Sequence, residues 1–381
     1  MSQRFALVGA DVFTGETRLV GHALVVRDEV IEAVMLAAEL PSGLERRRLD
    51  GGLLVPGFVD LQVNGGGGVL LNECPDVEGV AAICAAHRRF GSTALLLTVI
   101  TDRPEITFAA IAAVEEAIAK KVPGCLGVHV EGPFIDVARK GAHDPALIRR
   151  MEEADLKALT ATKTRPFLLT LAPESATPTQ IGALRSAGIH VSLGHSDCDF
   201  DAANAAFDVG ASLVTHLFNA MSQLGHRAPG LVGAALARPD IWCGIIPDGH
   251  HVHPAAMAAA IRGKASPGRI FAVSDAMPSV GSPDDDFTLN GRRVARENGR
   301  LTLEDGTLAG SDLSMIGAVR YLAGPVGLPL EEALRMASLY PATALGLVSH
   351  GRLTAASRAD IVLLSKELDV EAVWIGGEKL V

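Results

Sequence analysis

The chain has 381 residues, and its 34 Lys and Arg against 44 Asp and Glu leave a formal charge of −10. That balance excludes a general nucleic-acid binder, which needs a basic patch, and the 48% of apolar residues excludes a disordered chain. No apolar run reaches the ~18 residues that span a bilayer, and Met1–Phe5 opens no secretion-signal core.

In chain order, the first 55 residues read as short β runs at Phe5–Val8, Ala23–Arg27 and Val30–Val34, with turn signals at Thr14-Gly15 and Asp28-Glu29 between them. An alternation follows. Strand-like runs occur at Val59–Val63, Ala94–Thr98, Cys125–Glu131, Phe167–Leu171, His190–Leu193, Leu213–Thr215, Trp242–Ile246 and Ile270–Ser274. Helical spacing follows most of them, as at Val77–Phe90, Glu105–Lys121, Thr177–Ala187, Asp199–Val209 and Pro254–Arg262. Strands alternating with helices imply parallel pairing through crossovers, and eight such units predict an α/β fold of the (β/α)8 TIM-barrel type. A doubly wound open sheet has the same alternation, but no G-x-G-x-x-G or P-loop supports it. The four glycines Gly65–Gly68 read as a turn before a phosphate cradle. The last thirty residues return to β runs at Gly351–Leu353, Asp360–Leu364 and Val370–Ile375, with a turn at Gly376-Gly377. Neither end can bury a sheet face alone. Residues 1–55 and 350–381 are therefore expected to pair into one small β-sandwich domain, with residues 56–349 forming the barrel.

The informative feature is what terminates the strands. The third run ends in Glu131, the fifth runs into His195, the sixth into His216 and the eighth into Asp275. In a parallel barrel all C-terminal strand ends share one face, where active sites sit. One histidine at a strand end is ordinarily a hydrogen-bonded core residue. Four such polar residues at corresponding positions of different repeats predict a shared site. Glu131, His195 and His216 form a donor set for one divalent metal per chain, zinc foremost, with Fe²⁺ or Co²⁺ accepting the same ligands. A divalent ion lowers the pKa of a water toward ~7, but that water still needs a proton acceptor at the moment of attack. Asp275 suits that part, its alternative being a cap for the stretch after Ala276.

Other histidines sort by position. His250, His251 and His253 form Asp-Gly-His-His-Val-His before Pro254, the expected first residue of a helix. The His251-x-His253 spacing admits a second metal site, although substrate contact is the preferred reading. His143, in the loop after the third strand, is placed for substrate contact. His129, two residues before Glu131, shares its strand face and reads as a core residue or one behind the ligands. His22, His87, His190 and His350 read as surface or structural. No G-x-S-x-G elbow supports serine chemistry. The five cysteines (Cys74, Cys84, Cys125, Cys198, Cys243) form no C-x-x-C pair and read as reduced cytoplasmic thiols.

Val55-Pro56-Gly57-Phe58-Val59-Asp60 resembles the entry to the first barrel strand of the amidohydrolase superfamily. Further segments resemble the N-acetylglucosamine-6-phosphate deacetylases within it. They are Leu126–Phe134, Lys140–His143, Leu171–Glu174, Ser192–Ser196, Thr215–Met221, Pro247–Val252, Val273–Ala276 and Leu308–Ser311, in order along nearly the whole chain. The resemblance implies hydrolysis of the N-acetyl group of a sugar 6-phosphate, with Glu131, His195 and His216 as metal ligands and Asp275 as general base and then acid. It implies substrate contacts at His143, His251, Leu308, Ala309 and Gly310. Asn219 and Ala220 (through backbone N–H groups) and Arg227 correspond to phosphate-associated positions. Because such an arginine can reach a neighbouring subunit's site, the resemblance also implies a homodimer. No nucleic-acid or membrane partner is expected.

One departure matters. Many amidohydrolases carry His-x-His at the end of the first strand and hold two metals, whereas this chain has Gln62-Val63-Asn64. Neutral amides are poor zinc ligands, so one metal is expected. The same chemistry on N-acetylgalactosamine 6-phosphate or another N-acyl amine is the near alternative. A non-catalytic scaffold is the distant one, since all four metal-centre residues are present.

Overall fold

The computed structural model describes residues 3–266, 268–284 and 286–381. The chain divides into two compact units, Met1–Asp60 with His87–Ala94 and Met315–Val381, and Leu61–Ala86 with Leu95–Ser314.

In the first unit, Arg4–Val8, His22–Arg27, Val30–Leu36 and Glu45–Arg48 form a four-stranded sheet. Asp11–Phe13, Arg18–Leu19, Leu53–Pro56, Ile361–Leu364, Val370–Ile375 and Glu378–Lys379 form a six-stranded one. The two chain ends do pair: Leu53–Pro56 lies antiparallel to Ile361–Leu364, Val55 opposite Val362. Phe5, Leu7, Leu24 and Val26 of one sheet pack with Val12, Leu54, Ile361 and Trp374 of the other in one buried cluster, the core of a sandwich. Gly351–Leu353 is not a strand. The Leu353 N–H donates to the Thr14 carbonyl at 2.9 Å, and the side chain fills the sandwich core as a loop residue. This unit also holds three helices that the alternation did not predict, Met315–Ala323, Leu330–Ala337 and Leu339–Ala344.

The barrel sheet has eight strands: β1 (Phe58–Val63), β2 (Ser92–Ile100), β3 (Cys125–Glu131), β4 (Phe167–Leu171), β5 (His190–Leu193), β6 (Ala211–Val214), β7 (Trp242–Ile245) and β8 (Ile270–Ala272). They neighbour one another in chain order, with parallel registers from β2 to β8. The edges meet just past β8. The Asp275 N–H donates to the Gln62 carbonyl at 3.0 Å and the Asn64 N–H to the Ala276 carbonyl at 2.9 Å. Closure removes the free edges, and β1 and β2 are buried at every residue, as parallel strands covered on both faces must be.

The intervening helices begin where their caps predict. Thr177 and Gln180 make a reciprocal capping box ahead of Pro178–Ser186, and Asp199 accepts the Ala202 N–H at 2.8 Å ahead of Phe200–Asp208. Gly65–Gly66 pairs antiparallel with Val69–Leu70 across a Gly67-Gly68 turn, and the N–H groups of Gly65, Gly67 and Gly68 go to the backbone carbonyls of Ala276, Val280 and Pro278 and not to an anion. After β8 comes an antiparallel insertion, Asp286–Leu289, Arg292–Glu297 and Arg300–Thr302. Its Leu289, Val294 and Leu301 pack on Ile100 and Met277. Among the described residues no helix is long and apolar enough to cross a membrane.

Candidate active site

The parallel register carries Glu131, the last residue of β3, to the level where β5 and β6 give way to His195 and His216. Glu131 Oε1 lies 3.1 Å from His195 Nε2 and 3.0 Å from His216 Nε2, and the two imidazole nitrogens are 3.1 Å apart. All three residues are at most 4% exposed. Among the described residues they form the one cluster of three or more His, Cys, Asp or Glu side chains suited to a metal ion.

The donor set fits a divalent ion for a reason beyond proximity. His195 Nδ1 lies 2.9 Å from the Arg139 carbonyl, which can only accept, so Nδ1 carries the ring proton. The other ring nitrogen, Nε2, then faces Glu131 and His216. A carboxylate and imidazole nitrogens turned inward at these separations suit a small cation. Burial alone would raise the Glu131 carboxyl, yet hydrogen bonding to His195 and His216 holds it well below its usual range.

Gln62 and Asn64 contribute as donors. Gln62 Nε2 lies 3.1 Å from both Glu131 oxygens, and Asn64 Nδ2 lies 2.7 Å from Asp275 Oδ1. Burial, reinforced by the charge of Glu131, pushes the Asp275 carboxyl up to about 6, against the opposing effects of His216, His251 and the Asn64 amide. Asp275 does not cap the next stretch; the Ser274 hydroxyl accepts the Ala276 N–H at 3.2 Å instead. His195, His216 and Asp275 all have positive φ, +49°, +32° and +52°. That left-handed kink turns the chain off each strand, at ~1 kcal/mol or more per residue.

A cavity of about 360 Å³ opens over these groups, lined by Asn64, Glu131, Arg139, His143, His195, His216, Asn219, Ala220, His251, Asp275, Leu308 and Gly310, among others. His143 Nδ1 is 2.7 Å from Thr101 Oγ1, and burial pushes its pKa down to about 3, so the ring is neutral at ordinary pH. His129 lies beneath the centre, bridging Thr98 and Thr170 at 3.2 and 2.7 Å; Thr215 links Thr170 to Ser192 in a buried polar layer.

Several expected contacts fall elsewhere. Ala309 is fully buried in the cluster beneath the insertion, while Leu308 and Gly310 reach the cavity wall. The Asn219 N–H donates to the His216 carbonyl at 2.9 Å, closing a turn, and is not offered to an anion. Arg227 is exposed and does not line the cavity of its own chain. His251 and His253 do not form a second metal site. His251 bonds Asp248, and His253 Nδ1 accepts the Ala255 N–H at 3.2 Å, capping the helix Pro254–Gly263. Arg139 and Asp248 were missed. Arg139 sits in a loop without a motif, and the signal for Asp248 was its place three residues before His251.

A (β/α)8 barrel with a carboxylate and two histidines meeting at its strand ends is the architecture of a metal-dependent hydrolase. Residues 53–380 match the Amidohydrolase family and residues 4–54 the NagA composite domain, and the chain belongs to the amidohydrolase family. It is 43% identical to an N-acetylgalactosamine-6-phosphate deacetylase of Shewanella sp. (strain ANA-3), over 98% of this chain and 95% of that one. It is 32% identical to an N-acetylglucosamine-6-phosphate deacetylase of Haemophilus influenzae, over 98% and 99%. The crystal structure of the N-acetylglucosamine-6-phosphate deacetylase from Pasteurella multocida superposes with a TM-score of 0.96 at 34% identity, covering 99% of this chain and all of that one.

Proposed function

We propose that the protein hydrolyses N-acetyl-D-glucosamine 6-phosphate to D-glucosamine 6-phosphate and acetate, a step of amino-sugar breakdown. The observation that carries this reading is the meeting of Glu131, His195 and His216 on the cavity that Asp275 also lines, in a chain with deacetylase relatives along nearly its full length. A divalent ion held by those three residues, zinc foremost, would polarise the acetyl carbonyl and lower the pKa of water. Asp275 takes the proton of the attacking water and delivers it to the amine that leaves. Gln62 keeps Glu131 oriented and Asn64 keeps Asp275 oriented through the hydrogen bonds described above. His143, His251, Leu308 and Gly310 line the sugar's place, and Ala220 and Asn219 edge the phosphate end. Because Arg227 stands outside its own cavity, its phosphate role goes with a homodimer in which it serves a second copy.

A second reading, N-acetylgalactosamine 6-phosphate as the preferred epimer, is favoured by the 43%-identical relative. The free thiols accord with a cytoplasmic enzyme. Acetate release from the two N-acetylhexosamine 6-phosphates, before and after chelation with dipicolinate, tests the proposal. Chelator-sensitive release is expected. No release from either sugar would refute it, and the ratio of the two kcat/KM values decides the epimer.

A further inference from the structure

The loop after β7 holds a pair that the metal centre does not account for. Asp248 Oδ2 lies 2.6 Å from His251 Nδ1, with the two side chains 6% and 7% exposed. The other carboxylate oxygen, Oδ1, accepts the backbone N–H groups of His250 and His251 at 2.8 and 2.9 Å. Gly249 between them has φ +83°, a backbone value that L side chains rarely adopt, and this closes the loop tightly enough for one oxygen to take both N–H groups. Burial alone would raise the Asp248 carboxyl, but bonding to His251 outweighs it and keeps the group ionised. An ionised carboxylate only accepts, so the proton on that edge of the imidazole belongs to Nδ1.

We propose that Asp248 is a positioning residue that fixes the tautomer of His251 by holding the ring proton on Nδ1, which leaves Nε2 as the acceptor for a hydroxyl or amide N–H of the bound sugar. This rests on the reading of the cavity as a deacetylase site. The two N–H groups on Oδ1 make the arrangement directional. In Asp248→Asn the amide oxygen must take their place, because an NH₂ there would face two donors. The NH₂ is then left against Nδ1, which becomes the acceptor, and Nε2 carries the proton. A group that accepted from the sugar would thereby become a donor, with little change in shape.

The test is ¹⁵N NMR of histidine-labelled, zinc-replete protein at a pH where His251 is neutral, with His251→Gln identifying the signal. The wild type should show a protonated Nδ1 and an unprotonated Nε2, and Asp248→Asn the reverse. Asp248→Asn should lower kcat/KM for N-acetylglucosamine 6-phosphate by roughly 10–100-fold, the scale of a lost or inverted hydrogen bond. Made in the His251→Gln background, the same change should cost about twofold or less, since its effect travels through His251. A protonated Nε2 in the neutral wild-type ring overturns the proposal, as do losses that multiply in the double variant. Should Asp248→Asn fail to fold, the wild-type tautomer alone decides. That measurement needs no turnover, so a failure of the deacetylase reading remains distinguishable from a failure of this one.

Discussion

Replacing Asp275 by Asn tests the division of labour at the centre with little change in volume. Asn64 Nδ2 donates to Asp275 Oδ1 at 2.7 Å, so the new side chain must turn its carbonyl toward Asn64 to avoid setting two donors together. Its NH₂ then occupies the other position, and the site has lost its proton acceptor. General acid–base work by a positioned carboxylate is worth ~10²–10⁴-fold, or roughly 3–5 kcal/mol of barrier, and kcat should fall by that amount. Metal content, read by elemental analysis, should hold, because Glu131, His195 and His216 are untouched. The pH profile supplies the sign. The carboxyl is pushed up to about 6, and only its ionised form accepts a proton. Activity should therefore fall about tenfold per pH unit on the acid side. The midpoint should lie at or below about 6, because a bound cation favours the ionised form. Asp275→Asn should lack that limb. Near-normal turnover, or an unchanged acid limb, would remove Asp275 from the proton transfer.

Elemental analysis of metal-replete protein should find one tight divalent ion per chain, because Gln62 and Asn64 are engaged as donors to Glu131 and Asp275; two tight ions would refute this. His195→Ala or His216→Ala should lower metal content and acetate release together. Arg227→Ala should reduce kcat/KM for N-acetylglucosamine 6-phosphate by roughly 10–150-fold relative to unphosphorylated N-acetylglucosamine. Mixing its chains with Asp275→Asn chains should restore part of the activity if Arg227 serves a neighbour, and an equal loss on both sugars would exclude a phosphate role. Thr177→Ala removes a capping-box hydroxyl at the surface and should cost ~1 kcal/mol in urea unfolding with kcat unchanged; no loss of stability would mean the cap is not needed.

The barrel was legible in the sequence because its two periods are local. Val59–Val63 alternates apolar with polar residues, Ala94–Thr98 is apolar up to its last residue, and Glu105–Lys121 carries helical spacing, properties of neighbouring residues along the chain. Glu131, His195, His216 and Asp275 stood out for a related reason: parallel crossovers send every C-terminal strand end to one face, so position within the repeat carries spatial information. The sandwich was legible from what each end lacked, a partner to bury its sheet face. The insertion at Asp286–Thr302 was not legible, since Arg292, Arg293, Arg296 and Glu297 obscure the period of its longest strand. Tertiary structure alone decided the direction of individual side chains. His251 and His253 share one motif, yet one bonds Asp248 beside the cavity while the other caps a helix. Arg227 follows β6 on the expected loop and still does not line the cavity of its own chain, and the Asn219 N–H is absorbed by a turn. Gln62 and Asn64 could be excluded as good ligands from their chemistry, but only the folded barrel shows the carboxylates they hold. Composition and spacing are set along the chain; the orientation of Glu131 and Asp275 depends on Gln62 and Asn64, 69 and 211 residues away, and that of His251 and His253 on the backbone path of a loop the folded barrel shapes.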